Sequence, residues 1–347
     1  MKTSLKLVAL CLSLSLFTGV VEARQNHPSY PLLATEFRDL NLLEQVRFTP
    51  AQLADKAQLA QLNAAMLQAA EQSAVQPDEK ITAPAQGAQP AVDLYLYRPQ
   101  DAGNKTLPVI YFMHGGGYLF GNARQNNAAL AELAEMSQAL VVSVEYRLAS
   151  ESPYPADIDD AYHGLAYVFT HAEALKANGK KVLIMGESAG GGLAARLALK
   201  VRDQGKFKLA GQVLIYPMLD YRTGTEESLY KSPYTGAYVW TAAFNRIGWD
   251  TLRGRQAIPE AEIPYYSAAM ATDLAGLPRT YLMAGSLDLF VNEDLDYANR
   301  LIAAGVPTDV QVIAGLYHAF EIFNPTAPQT KAYKEARTAA IARMLAE

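Results

Sequence analysis

Cysteine is nearly absent. One residue, Cys11, occurs in 347, and it lies inside the apolar run from Leu7 to Phe17 that follows Lys2 and Lys6. With Val21-Glu22-Ala23 after it, this segment has the organisation of a signal peptide cleaved after Ala23. The run is too short to span a bilayer, and Leu10 ahead of Cys11 argues against lipoprotein processing. Removal of residues 1–23 leaves no thiol to oxidise, which suits a periplasmic or secreted protein and excludes a disulfide framework. Basic residues are also scarce relative to acids, 30 against 35, and they form no cluster. Removing Lys2, Lys6 and Glu22 moves the formal charge from −5 to −6, so nucleic-acid binding has no electrostatic support. Internal repeats and long Pro/Gly/Ser linkers are missing, and the remaining length suits one α/β domain with inserted structure.

What is present centres on Gly186-Glu187-Ser188-Ala189-Gly190-Gly191. It follows the apolar segment 181–185 and precedes a helix-compatible segment starting at Leu193, giving a strand, a tight turn and a helix. In such an elbow the serine backbone is strained, and the glycines are required because a Cβ would strike the adjoining strand and helix. The hydroxyl is thereby held out at the carboxyl edge of a sheet. A serine nucleophile needs a base, a carboxylate to orient the base, and donors for an oxyanion. The segment 108–113 reads as a buried strand running into His114-Gly115-Gly116-Gly117, whose glycines can turn N–H groups of Gly115, Gly116 and Gly117 into an empty site. The N–H of Ala189, at the start of the elbow helix, is the expected partner donor.

Histidine is scarce enough for elimination: the chain has five. His27 falls in an expected disordered start, His114 braces the glycine loop, and His163 and His171 belong to the helical stretch 156–172. His318 remains, on a loop after the strand-like segment 309–313, where catalytic groups tend to sit. By the same logic Asp288 is the first carboxylate past the strand 279–285, whereas Glu293, Asp294 and Asp296 open a helix, where acids complement the dipole. The order Ser188, Asp288, His318 is that of α/β-hydrolases.

Several separate blocks resemble the hormone-sensitive-lipase-like family of α/β-hydrolase carboxylesterases. His114-Gly115-Gly116-Gly117 matches its HGGG loop and Gly186–Gly191 its serine motif. Tyr146-Arg147-Leu148-Ala149-Ser150-Glu151-Ser152-Pro153-Tyr154-Pro155-Ala156 is similar to its YRLAPE block, residues 288–293 to its DPLRDE block, and His318-Ala319-Phe320 to its HGF block. The match runs over about residues 80–345. Glu187 stands where most members have Asp, Ser150 replaces a proline, and Leu289-Phe290-Val291-Asn292 departs from proline, leucine, arginine and aspartate; Phe290 could therefore reach the pocket. The resemblance implies a mostly parallel eight-stranded sheet flanked by helices, catalysis by Ser188, Asp288 and His318 on a small-molecule ester substrate of short to medium acyl chain, no metal or organic cofactor, and pairing of copies through sheet edges. Amide hydrolysis uses the same residues and is the alternative, whereas a ligand-binding pseudo-hydrolase would lack a triad member.

The domain organisation expected is a signal peptide over 1–23, N-terminal cap helices over 24–80, and a hydrolase domain over 81–347 with a cap insertion at about 217–278. Thr49 and Pro50 read as an N-cap and first-turn proline. From there Leu53, Ala57, Ala60, Ala64 and Leu67 form one apolar helical face. Ile81 to Pro90 reads as a connector into an alternating strand over 92–97. The insertion is dense in Tyr, Trp and Phe, as in the core of a small subdomain; by resemblance it forms part of a cap, several rings lining an apolar acyl or alcohol pocket.

Overall fold

The computed structural model of the protein describes residues 24–44 and 48–346; the expected signal peptide and its cleavage site lie outside them. Eight strands form one sheet in the order β1-β2-β4-β3-β5-β6-β7-β8. They are β1 (Glu79–Ala83), β2 (Val92–Tyr97), β3 (Leu107–Met113), β4 (Leu140–Val144), β5 (Ala177–Glu187), β6 (Gly211–Ile215), β7 (Thr280–Gly285) and β8 (Thr308–Ile313). The β1–β2 and β2–β4 pairs are antiparallel and all later pairs parallel. Helices of five residues or more are α1 (Pro50–Ala54), α2 (Lys56–Glu71), α3 (Asn127–Ser137), α4 (Ala156–Thr170), α5 (Ala189–Gln204), α6 (Ala242–Arg253), α7 (Val291–Ala303) and α8 (Pro328–Ala346).

Parallel strands covered on both faces must be apolar on both, and β3, β5 and β6 obey this, with Val109, Ile110, Leu183, Ile184, Val213 and Leu214 all inaccessible. The strand β2 obeys it too, contrary to the alternation expected: Leu94 and Leu96 join the core under α4 and α5, while Tyr95 and Tyr97 join the core under α3 and α8. Packed along the sheet, α5 buries nearly its whole surface. Arg196 on it is fully buried, paired with Asp157 of α4 at 2.5 Å and stacked 5.0 Å over the Tyr118 ring.

Three local expectations need correction. The expected single helix after Thr49 is two: Asp55 leaves helical geometry at φ −88°, ψ 114° and caps α2 by accepting from Ala57 N and Gln58 N. The break resets the helical phase, so Leu59, Leu62, Met66 and Ala70 turn inward while Ala57, Ala60, Ala64 and Leu67 face solvent. The Thr49 cap itself forms, with a reciprocal Gln52 capping box. The connector before β2 begins with β1, an exposed edge strand whose polar residues Glu79, Lys80 and Thr82 conceal it from a search for apolar alternation. Finally, the chain around His27 is ordered: its ring meets Tyr238 edge-on at 6.4 Å and Nδ1 bonds Ser29 Oγ at 2.7 Å.

Candidate active site

The site lies at the carboxyl ends of β3, β5, β7 and β8. Ser188 follows β5 with φ 57°, ψ −122°, outside the conformations an L-residue ordinarily adopts. Its surroundings enforce this geometry. A Cβ on Gly186 would lie 2.0 Å from Gly190 O, and one on Gly190 would lie 2.2 Å from Met113 O. The turn is thus closed from both sides by backbone.

His318 arrives on the loop after β8, with Nε2 2.8 Å from Ser188 Oγ and Nδ1 2.7 Å from Asp288 Oδ2. Asp288 follows β7, is wholly inaccessible, and accepts the N–H of Phe290 at 3.0 Å on its other oxygen. Both carboxylate oxygens are therefore engaged, and one fixes the imidazole. Phe290 does not line the cavity; it is buried edge-on against His318 at 5.3 Å and Tyr216 flanks the same ring at 4.7 Å. The structure thus brings together Ser188, His318 and Asp288. Glu293 is directed elsewhere, accepting Leu219 N at 2.7 Å and Asp220 N at 3.1 Å. Glu293 and Asp294 do open the helix, as expected, and both are buried; desolvation first of all pushes their carboxyls well above the ordinary range.

Gly115, Gly116 and Gly117 cross in front of the serine. Gly116 and Gly117 have φ 133° and 61°, and a Cβ on them would lie 1.8 Å from Phe120 O and 2.1 Å from the Trp240 indole. Among the described residues, the N–H groups of Gly115, Gly116, Gly117 and Ala189 donate to no other group. The Gly115 carbonyl instead braces the loop, meeting His114 Nδ1 at 2.8 Å and Gln125 Nε2 at 3.3 Å. His114 is stacked on Tyr146, whose hydroxyl donates to His114 O at 2.7 Å, and burial lowers the imidazole to about 4, leaving it neutral.

These groups face a cavity of about 550 Å³. Its walls include Leu62 and Met66 of α2, Phe48, and Trp240 and Phe244 from the aromatic insertion. Other insertion rings stay in the core, Trp249 and Tyr266 among them, so the insertion supplies both pocket wall and packing. Sequence reasoning placed residues 29–37 only within the cap segment 24–80, yet Ala34 N bonds Gly315 O at 3.0 Å and Phe37 packs edge-on against Tyr317 and Phe320, on either side of His318. The only sequence signal there is a pair of apolar residues, Leu33 and Phe37, one helical turn apart.

A strained serine, a histidine and a buried aspartate linked in series on this sheet define a serine hydrolase with an α/β-hydrolase fold. A family model described as alpha/beta hydrolase fold matches residues 109–322, and the chain belongs to the hormone-sensitive-lipase-like carboxylesterase family. Carboxylesterase NlhH of Mycobacterium tuberculosis is 32% identical over 225 residues, covering 64% of this chain and 69% of NlhH. An arylesterase of Saccharolobus solfataricus is 30% identical over 225 residues, covering 65% of this chain and 71% of its own. Among solved structures, a bacterial heroin esterase superposes with TM-score 0.79 at 30% identity, covering 91% of this chain and 99% of that one. Esterase LipW from Mycobacterium marinum gives TM-score 0.76 at 26% identity, over 91% and 97%.

Proposed function

We propose that the protein hydrolyses short- to medium-chain acyl esters through a covalent acyl-serine. The observation that carries this reading is the unbroken series Asp288 Oδ2, His318, Ser188 Oγ opening on a largely apolar cavity. Ser188 Oγ attacks the ester carbonyl as His318 Nε2 takes its proton, and Asp288 offsets the imidazolium charge. The carbonyl oxygen becomes an oxyanion that the N–H groups of Gly115, Gly116, Gly117 and Ala189, none of them donating elsewhere among the described residues, would stabilise. The carbon–oxygen bond to the alcohol then breaks, and the alcohol leaves with the proton from His318. Water, deprotonated by His318, attacks the acyl-enzyme; the acid departs and Ser188 recovers its proton. An amide can follow the same route, but the esterase relatives favour the ester.

The segment up to residue 80 and the insertion at about 217–278 would act as the two parts of a cap, because each contributes cavity wall. Export to the periplasm or medium rests on residues 1–23 and is checked by sequencing the mature amino terminus. The exposed edge β8, with Val310 and Val312 in solvent, suits pairing of two copies; light scattering on the purified chain reads it. For the mechanism itself, a fluorophosphonate should label the wild type at Ser188 and leave Ser188→Ala unlabelled. Ester turnover should fall at least ~10³-fold in Ser188→Ala and His318→Ala with the fold intact. Retention of a tenth of wild-type turnover in Ser188→Ala would overturn the reading.

A further inference from the structure

Among the described residues around the cavity, Glu187 is the single carboxyl group, and it directly precedes the nucleophile. Among the described residues its carboxylate takes one hydrogen bond, a long one from Asn126 Nδ2 at 3.5 Å. Two cations, Arg337 and Lys334, favour its charged form from a distance, and neither forms an ion pair with it. Lys334 is paired with Glu132 at 2.6 Å, and Arg337 lies 5.3 Å over the Tyr333 ring with Nη1 donating to Tyr333 Oη at 3.4 Å. Arg24, the one arginine along the cavity, has a partner of its own. Glu321, on the short helix Phe320–Phe323, stands close enough to repel Glu187. Glu321 accepts the Tyr216 hydroxyl on Oε1, while its Oε2 is shut off from solvent without a partner. A half-buried carboxyl with a like-charged neighbour and, among the described residues, no ion pair is an arrangement that a cation would relieve. The rest of the wall is built for the body of such a ligand: Phe48, Phe120, Tyr216, Trp240 and Phe244 present rings, which favour a cation over their faces.

We propose that Glu187 is a specificity-determining residue that selects esters carrying a cationic nitrogen, an ammonium or quaternary amine within a few bonds of the scissile carbonyl. This inference rests on the esterase reading and deepens it. The apolar part of the substrate fills the aromatic wall, the carbonyl lies at Ser188, and the cationic nitrogen lies against the Glu187 carboxylate. The preference carries a pH signature. Desolvation, with Glu321 next in effect, raises Glu187 to about 7. The carboxyl is therefore neutral at pH 6 and charged at pH 8, so preference for the cationic ester rises across that interval. The groups facing Glu187 are Glu321 from the loop after β8, Asn126 before α3, and Lys334 and Arg337 from α8.

The test compares butyrylcholine with its uncharged carbon isostere, 3,3-dimethylbutyl butyrate, as a ratio of kcat/KM values at pH 6 and pH 8. The ratio cancels any change that a substitution beside Ser188 makes to both substrates equally. In the wild type the ratio should exceed one at pH 8 and be several-fold smaller at pH 6. In Glu187→Gln it should fall about tenfold at pH 8, the effect of one charge-assisted contact, and lose its pH dependence. Glu187→Asp, which keeps the charge, should keep the ratio above that of the glutamine variant. A wild-type ratio at or below one, or an unchanged ratio in Glu187→Gln, overturns the inference. In either case hydrolysis of the neutral isostere leaves the esterase reading standing; loss of hydrolysis of both by the wild type overturns the two together.

Discussion

Two carboxyls of the same helix region, Asp288 and Glu293, are told apart at the scale of single residues by what reaches them. Asp288 meets an imidazole N–H and one backbone N–H; Glu293 meets two backbone N–H groups and no histidine. Asp288→Asn should preserve the fold and lower turnover roughly 10²–10⁴-fold, because an amide neither fixes the imidazole tautomer nor offsets its charge. Glu293→Gln should cost far less turnover. Burial raises the Glu293 carboxyl well above the ordinary range, so a neutral glutamine suits the same site and can accept from Leu219 and Asp220 through its own carbonyl. Glu293→Ala, by contrast, orphans both donors and should cost about 2 kcal/mol of stability. Steady-state turnover and chemical denaturation of the three variants check this ranking, and the reverse order in turnover would mean that the acid is misassigned. The residues that perform chemistry were legible in sequence because each is tied to a local pattern: glycines that backbone contact demands around Ser188, an acid directly past a strand, a histidine left after elimination. Glu293 does open its helix as read, but its burial was not legible, because position in a helix says nothing about what another segment lays over it.

For whole elements, α2 shows where periodicity loses its phase. Reading one helix through Asp55 put Ala64 and Leu67 on the buried face, whereas a new helix starting at Asp55 places Leu62 and Met66 along the cavity. The consequence is measurable in substrate preference. Met66→Ala should enlarge the pocket and raise turnover of decanoate relative to butyrate aryl esters at least about threefold, since each methylene accommodated gains about 0.8 kcal/mol. Leu67→Ala, on the solvent face, should leave the chain-length profile where it is. For the wild type a pocket of about 550 Å³ predicts a maximum at or below about eight acyl carbons, where further methylenes turn from gain to steric cost. Faster cleavage of emulsified long-chain triglyceride than of soluble butyrate esters would contradict it. Strands β3, β5, β6 and β7 were readable from apolar runs, but β1 was not, because an edge strand with solvent on its flank carries no such run.

At the scale of the whole molecule, stability depends on acids buried away from the site. Burial, first of all, raises Glu145 to about 7, against the opposing hydrogen bond from Ala123 N at 3.1 Å. An acid whose folded pKa lies above its unfolded value binds its proton more tightly in the native state, so stability is lost as pH rises from about 4.5 toward 7. Glu145→Gln keeps an acceptor for Ala123 and carries no charge; its melting temperature should equal that of the wild type near pH 4.5 and exceed it by a few degrees at pH 8. Equal melting curves at pH 8 would show that Glu145 is hydrated in the native state. The fully buried Arg196–Asp157 pair joins α4 to α5, and removing one partner alone, as in Asp157→Ala, should cost about 3–5 kcal/mol by stranding the other charge.

The segment Ser29–Phe37 holds the loop bearing His318 through a backbone hydrogen bond to Gly315, the packing of Phe37 on Tyr317 and Phe320, and two exposed hydrogen bonds to Glu36, from Asn324 Nδ2 at 2.9 Å and Gln329 Nε2 at 2.8 Å. The sheet, in contrast, is buried on both faces and laced by seven strand pairings. A short segment held by local contacts, with its side-chain hydrogen bonds open to solvent, opens at a lower free energy than the sheet. Warming therefore releases the strap first, and the imidazole loses its fixed distance to Ser188 while the scaffold is still folded. Heat inactivation and heat denaturation become separate events: ester turnover fades at a temperature where the far-ultraviolet circular dichroism is unchanged, and it returns on cooling, because nothing but the strap has to find its place again.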